Sequence, residues 1–214
     1  MISLSQIVSY TICPRLCYFR IKFGEKNFTE SHAVREIYLS LRRGFDLEWA
    51  RKRAMTINEN FDLDVFNSAA SKFVFSDLLH DFKPIDWDVT IKSDRLDVVA
   101  VIDEIVEFRK KTYPVLVSLK APKEGVWFRD LMKIAVLSVI SDYKSGLIYY
   151  AYSGELRKVD SNISLRRKAL KLIERVKMIK NGFVPERREC RYCNFCSFVN
   201  ECKVKPNTFA SKFL

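Results

Sequence analysis

Cysteine occurs only at the two ends of this chain: Cys13 and Cys17 near the start, then Cys190, Cys193, Cys196 and Cys202. The last three read C-x2-C-x5-C. Thiolates spaced in this way suit a metal ion or an iron–sulfur cluster with a further ligand supplied from afar. The pattern therefore demands a fold that returns its end to its beginning. Disulfides are the alternative, disfavoured where thiols stay reduced. The start of the chain lacks a basic segment followed by an apolar run, and the most apolar stretch, residues 134–140, is far too short to span a membrane. A cytoplasmic protein with reduced thiols and no membrane association is expected.

At 214 residues and 48% apolar content the chain suits one globular domain. Residues 2–10 should form a short helix that stops near Cys13-Pro14-Arg15. Residues 31–55 should form a longer one, on the spacing of Val34, Ile37, Tyr38, Leu41 and Phe45, with Arg35, Arg42 and Arg43 opposite. Residues 62–82 should form a third, ended by Pro84. Residues 87–91, 96–108 and 113–120 then carry the Val, Ile and aromatic content of strands. Helical spacing returns over 127–141, strands are expected at 146–152 and 156–160, and residues 162–180 read as an amphipathic helix closed by Gly182. The order predicts a mixed α/β domain: 1–83 mainly helical, 84–181 the α/β core, and 182–214 a cysteine-rich tail.

Charge points to a partner class. Thirty-seven Lys and Arg against 26 Asp and Glu leave +11, which suits a polyanion such as nucleic acid. The surplus concentrates in residues 162–180, where Arg167, Lys171 and Arg175 are candidate phosphate contacts, and in Arg15 and Arg20 beside the first cysteines. A solvated basic face is the bland alternative for the helix. Phe19, Phe195 and Phe198 are expected to pack around the cysteine centre.

Asp97 lies at the start of one predicted strand, and Ser118-Leu119-Lys120 closes a later one. Alternation sets 118 and 120 on one face, and a hairpin could bring Asp97 near them. Such carboxylates can hold a divalent ion that polarises a phosphate and activates water, with a lysine to neutralise developing charge. Surface charges at turns are the alternative.

Three features, in this order, resemble a known family: the Ser5-to-Tyr18 stretch with its Cys13-Pro14-Arg15, the Asp and Lys on consecutive strands, and the terminal C-x2-C-x5-C. They are similar to the RecB-like, iron–sulfur CRISPR-associated exonucleases, the fourth family in the Cas naming scheme, within the PD-(D/E)XK superfamily. The resemblance covers nearly the whole chain, and the cysteine frame is its more specific part. It implies a restriction-endonuclease-like α/β core with an N-terminal helical region and a C-terminal iron–sulfur tail. It also implies a four-iron cluster on Cys13, Cys193, Cys196 and Cys202, and Mg²⁺ or Mn²⁺ at an active nuclease centre. The implied substrate is single-stranded DNA or DNA with overhangs during spacer acquisition, with other CRISPR adaptation proteins as partners. Zinc is the alternative to the cluster, since four thiolates suit it equally; the roles of Cys17 and Cys190 stay open.

The departures from the family pattern bear on activity. Glu48 falls where a helix histidine is usual, with His32 earlier on the same predicted helix as the other candidate. Asp97 matches the family's metal-binding aspartate. Ser118 replaces a carboxylate and is a poor ligand for Mg²⁺ or Mn²⁺, while Lys120 is retained. Lys133 stands where glutamine is usual and could touch a phosphate as a point charge. The reading is a DNA-binding protein whose nuclease centre is weakened or lost. Its rivals are an active Mg/Mn-dependent DNA exonuclease using Glu48, Asp97 and Lys120, and a zinc-stabilised interaction module.

Overall fold

A split in one mixed sheet governs this architecture. The computed structural model describes residues 1–189 and 191–203. Its six strands are β1 (Ile2–Ser3), β2 (Lys83–Ser93), β3 (Val98–Phe108), β4 (Lys111–Ser118), β5 (Ser145–Tyr150) and β6 (Glu155–Asp160). β2, β3 and β4 form an antiparallel meander, and β5 and β6 an antiparallel pair. β5 runs parallel to β4, a pairing that requires a crossover; α6 (Phe128–Ile140) supplies it.

β4 follows β3 only from Phe108↔Lys111 to Glu104↔Val115, whereas β1 pairs with β3 in parallel at Val98 and Val99. Beyond Val115 β4 stays with β5 as far as Ser118↔Tyr150. The sheet therefore forks between β3 and β4. At the apex the Val117 N–H donates to Asp103 Oδ2 at 2.7 Å, so a side-chain oxygen serves where a ladder carbonyl would.

Helices cover both faces. α1 (Leu4–Ile12), α2 (Pro14–Phe23), α6 and α7 (Ile163–Lys180) pack around Ile7, Ile102, Met132, Ile148 and Ile173. α3 (Glu30–Arg42), α4 (Leu47–Ile57) and α5 (Leu63–Lys72) pack with Val106, Val115 and Tyr149 on the other side. α6 lies very close to the sheet: a Cβ on Gly146 would fall 2.6 Å from Ile134 Cδ1 and 3.1 Å from the Pro114 ring.

The N-terminal half is more broken than its periodicity predicts. Ser3 and Gln6 cap α1 reciprocally, which leaves Ile2–Ser3 free to act as a strand. Cys13 is extended, and Pro14 then begins α2 from the first helical position. The single helix expected over 31–55 is two. Gly44 takes a φ of 81°, open to glycine without strain, and Asp46 Oδ1 accepts from the Trp49 N–H at 2.8 Å to start α4. Residues 62–82 likewise divide into α5 and a 3₁₀ turn at Asp77–Asp81.

The described part of the tail carries a 3₁₀ turn, Arg191–Phe195, and α8 (Val199–Lys203). It folds back onto α2, where Phe198 stacks on Phe19 and Phe23 with centroids 5.4 and 6.4 Å away. Among the described residues no helix is long and apolar enough to cross a membrane.

Candidate functional site

A cavity of about 450 Å³ occupies the fork. β3 contributes Val99, Val101 and Asp103 to it, the end of β4 contributes Leu116 to Leu119, and α1 adds Val8 and Ile12. Arg35 from α3, Arg129 and Lys133 from α6, and Arg20 from α2 bring positive charge to walls otherwise largely aliphatic. His32 also lines the cavity, but its Nδ1 accepts the Thr29 N–H at 3.1 Å and so caps α3. Its Nε2 faces Glu25, whose charge burial opposes; His32 and Arg20 outweigh that and hold the carboxyl below its usual range.

Asp103 lines the cleft and Asp130 is buried behind Ser118 and Lys133; both are paired. Asp103 Oδ1 accepts from Arg35 Nε at 2.5 Å while Oδ2 takes the Val117 N–H. Arg35 continues to Glu36 and Asp88, and Arg43 and Arg53 close a six-charge network on Asp88 and Glu36. Burial opposes the Arg35 charge, yet Asp103 and Glu36 outweigh it and raise its pKa further. Asp130 is fully buried. Its Oδ1 pairs with Lys133 Nζ at 2.9 Å, and its Oδ2 accepts from Ser118 Oγ at 3.0 Å and Tyr150 OH at 3.2 Å. Burial and the Asp130 charge both raise the Tyr150 pKa, which keeps the phenol a donor.

This arrangement does not fit a divalent ion. Mg²⁺ and Mn²⁺ need carboxylate oxygens free to coordinate, and here each oxygen of Asp103 and Asp130 already accepts a hydrogen bond, two of them from cations. The cleft is built to present guanidinium and ammonium groups beside apolar surface.

Several residues singled out from the sequence lie elsewhere. Glu48 is on the exposed face of α4, paired with Arg51 and Lys52, and does not line the cleft. Asp97 has a φ of 49° in the turn before β3 and binds Lys180 and the N-terminal ammonium. Lys120 follows the end of β4 with its side chain exposed, and its carbonyl accepts from Trp127 Nε1 at 2.8 Å. Ser118 and Lys133 are in the cleft, joined through Asp130. Asp103, Arg35 and Asp130 are the residues that sequence reasoning missed. Two consecutive acids, Asp103-Glu104, within an apolar strand were the available signal, as was Asp130 inside an apolar helix face.

The basic candidates divide similarly. Arg15 is buried, donates to the Pro185 carbonyl at 3.1 Å and lies over Phe19, so it straps the tail rather than facing solvent. Arg20 lines the cleft while pairing with Glu25 and Ser9. Arg167, Lys171 and Arg175 are exposed on α7.

A second cavity of about 220 Å³ is lined by Cys13, Cys193, Cys196, Tyr192 and Phe195. Among the described residues no three ligand-type side chains stand as a ready metal site. The donor chemistry nevertheless fits a thiolate-held group: burial raises the Cys196 thiol first, and the Cys13, Cys202 and Cys193 sulfurs add to it, so four sulfurs share one neighbourhood. Cys17 differs. It is buried in the core face of α2, where burial pushes its thiol up to about 12. Cys190 lies outside the described residues. Phe19 and Phe198 pack beside this region as expected, but Phe195 is 88% exposed.

Comparisons with known proteins bear on the fold. No protein-family model matches the chain. A protein of Archaeoglobus fulgidus, designated "Uncharacterized protein", is 52% identical over 214 residues and is covered, like this chain, over its full length. Among solved structures, a "Putative exonuclease" from Eubacterium rectale aligns over 99% of this chain and 92% of its own, with TM-score 0.54 and 15% identity. The crystal structure of SSO0001 aligns over 94% of this chain and 85% of its own, with TM-score 0.50 and 12% identity. The likeness is one of fold: a mixed sheet covered by helices, as in exonuclease-like structures.

Proposed function

We propose that this chain, which belongs to one family with the Archaeoglobus fulgidus protein, is a DNA-binding protein on a nuclease-like fold in which ion pairs occupy the place of a metal centre. The observation that carries this reading is the engagement of Asp103 by Arg35 in the cleft at the fork of the sheet, and of Asp130 by Lys133 just behind its wall. Those pairs engage oxygens that metal-assisted phosphodiester hydrolysis would use, while Arg129 stands at the wall where it can meet a phosphate. Net charge of +11 and the exposed Arg167, Lys171 and Arg175 favour the same partner.

In this reading the ligand is single-stranded DNA or a DNA end, as the resemblance to CRISPR-associated exonucleases implies, and the setting is spacer acquisition alongside other adaptation proteins. Cys13, Cys193, Cys196 and Cys202 hold an iron–sulfur cluster. Visible absorbance of the anaerobically purified protein separates that cluster from zinc, which is colourless.

The test is binding of a labelled single-stranded oligonucleotide over a salt series, with and without Mn²⁺. Salt-dependent binding without cleavage is expected, and Arg167→Ala with Lys171→Ala and Arg175→Ala should lower the log–log salt slope by about two, at about 0.7 per phosphate contact. Cleavage that requires Mn²⁺ would refute the ion-pair reading; binding indifferent to salt would refute the DNA reading.

A further inference from the structure

Phe195 has the most exposed large apolar side chain among the described residues, at 88%. Phe19 and Phe198, the other phenylalanines expected around the cysteines, are buried against each other, whereas Phe195 is not. With Tyr192, also exposed, Phe195 lines the smaller cavity. That cavity and the cleft share Ile12, Arg20, Glu25 and Thr29, which makes them adjacent compartments of one groove. One end of the groove thus offers open aromatic rings, and the other offers Arg129 and Lys133.

Rings at one end and cations at the other suit a single strand of nucleic acid, which offers both planar apolar bases and phosphates. An apolar peptide or an acyl chain would instead meet the charged Arg20–Glu25 pair in the middle of its path. A duplex hides the faces of its bases, whereas an unpaired base leaves them open for stacking.

We infer that Phe195, with Tyr192, is a stacking platform for an unpaired base of a strand whose phosphates reach the cationic cleft. This rests on the DNA-binding reading above and adds a contact that the reading does not need. Phe195 lies between Cys193 and Cys196 and Tyr192 directly precedes Cys193, so the platform holds the strand next to the thiols without contributing a ligand.

The experiment uses the full-length protein and fluorescence anisotropy with a labelled single-stranded oligonucleotide, and with the same oligonucleotide made abasic along its length. Phe195→Ala and Phe195→Leu should weaken binding of the normal strand by about tenfold, while Phe195→Trp should stay within about twofold of the parent. On the abasic strand all four proteins should bind alike. Iron and zinc are measured in each preparation. Where a Phe195 variant loses metal, Tyr192→Leu against Tyr192→Trp makes the same comparison. Parental affinity in Phe195→Leu, or an undiminished deficit on the abasic strand, would overturn the stacking role and leave DNA binding intact. Failure of the parent protein to bind either strand would instead overturn the DNA-binding reading, and the platform with it.

Discussion

Replacing Arg35 by Met removes one guanidinium from three carboxylates at once. Glu36 keeps Arg53, and Asp88 keeps Arg43 and Arg53. Asp103, only 7% exposed, keeps just the Val117 N–H. Removing one partner of a buried pair costs about 3–5 kcal/mol. The Arg35 side chain retains 26% exposure, so the lower end applies, about 3 kcal/mol. For a chain of this size that corresponds to a fall in Tm of about 6–12 °C. The pH dependence has a definite sign. Burial raises the Glu36 pKa while Arg35 and Arg53 oppose it; burial likewise opposes the Asp88 charge, but Arg35 and Arg53 outweigh it and lower that pKa. Loss of Arg35 moves both folded values upward. A carboxylate whose folded pKa rises costs stability where the unfolded group is ionised, and that cost disappears as pH falls below the unfolded value. The deficit should therefore be largest near neutrality and shrink as pH falls through the carboxylate values of 4.5 and 3.8. Urea unfolding followed by tryptophan fluorescence, from neutral pH to below that range, reads it directly. A variant within about 0.5 kcal/mol of the parent at neutral pH, the scatter of an inert surface change, would refute the reasoning, as would a deficit independent of pH.

Arg42→Met should be worse than Arg35→Met, by urea unfolding, at about 4–5 kcal/mol, because it leaves the wholly buried Glu104, which Arg42 grips at 2.7 Å, with the Tyr38 hydroxyl and no cation. Arg35→Met combined with Lys133→Met should bind Mn²⁺, seen by electron paramagnetic resonance, where the parent does not; equal signals would sink the account of the cleft acids. Cys17 should resist alkylation in the native protein at pH 8. The stability carried by its neutral thiol should persist to about 9 and be lost as pH rises toward about 12, its folded value. Gly146→Ala should cost about 1–3 kcal/mol through overpacking against Ile134, and Ile134→Val in the same chain should recover part of it in thermal melts.

Periodicity carried the core because it reports burial, and burial alone fixes most of it: β3, α6 and α7 stand close to where Val, Ile and Leu spacing puts them. Periodicity says little about interruptions. Gly44 and Asp46 divide α3 from α4, and Pro14 opens α2, through local backbone chemistry that an uninterrupted apolar stripe conceals. The cleft was harder to read. Asp97 resembled a strand-borne ligand because a motif was matched to it, but its φ of 49° fixes it in a turn, where Lys180 can reach it. Asp103 was passed over although an acid in the middle of an apolar strand must find a partner. That partner, Arg35, comes from α3, 68 residues earlier in the chain, and no local pattern encodes such a meeting. Ser118 and Lys133 were recognised, yet Asp130, which ties them together, was not.

The stack of Phe198 on Phe19 and Phe23 ties the tail to α2 through contacts that involve no sulfur. Lys26 adds to it, lying over the Phe198 ring and pairing with Glu201. Closing so long a loop costs chain entropy, and these contacts offset a share of that cost whatever the thiols hold. A thiolate-held group removed with a chelator would therefore leave a second, carbon-made tie between the two ends of the chain.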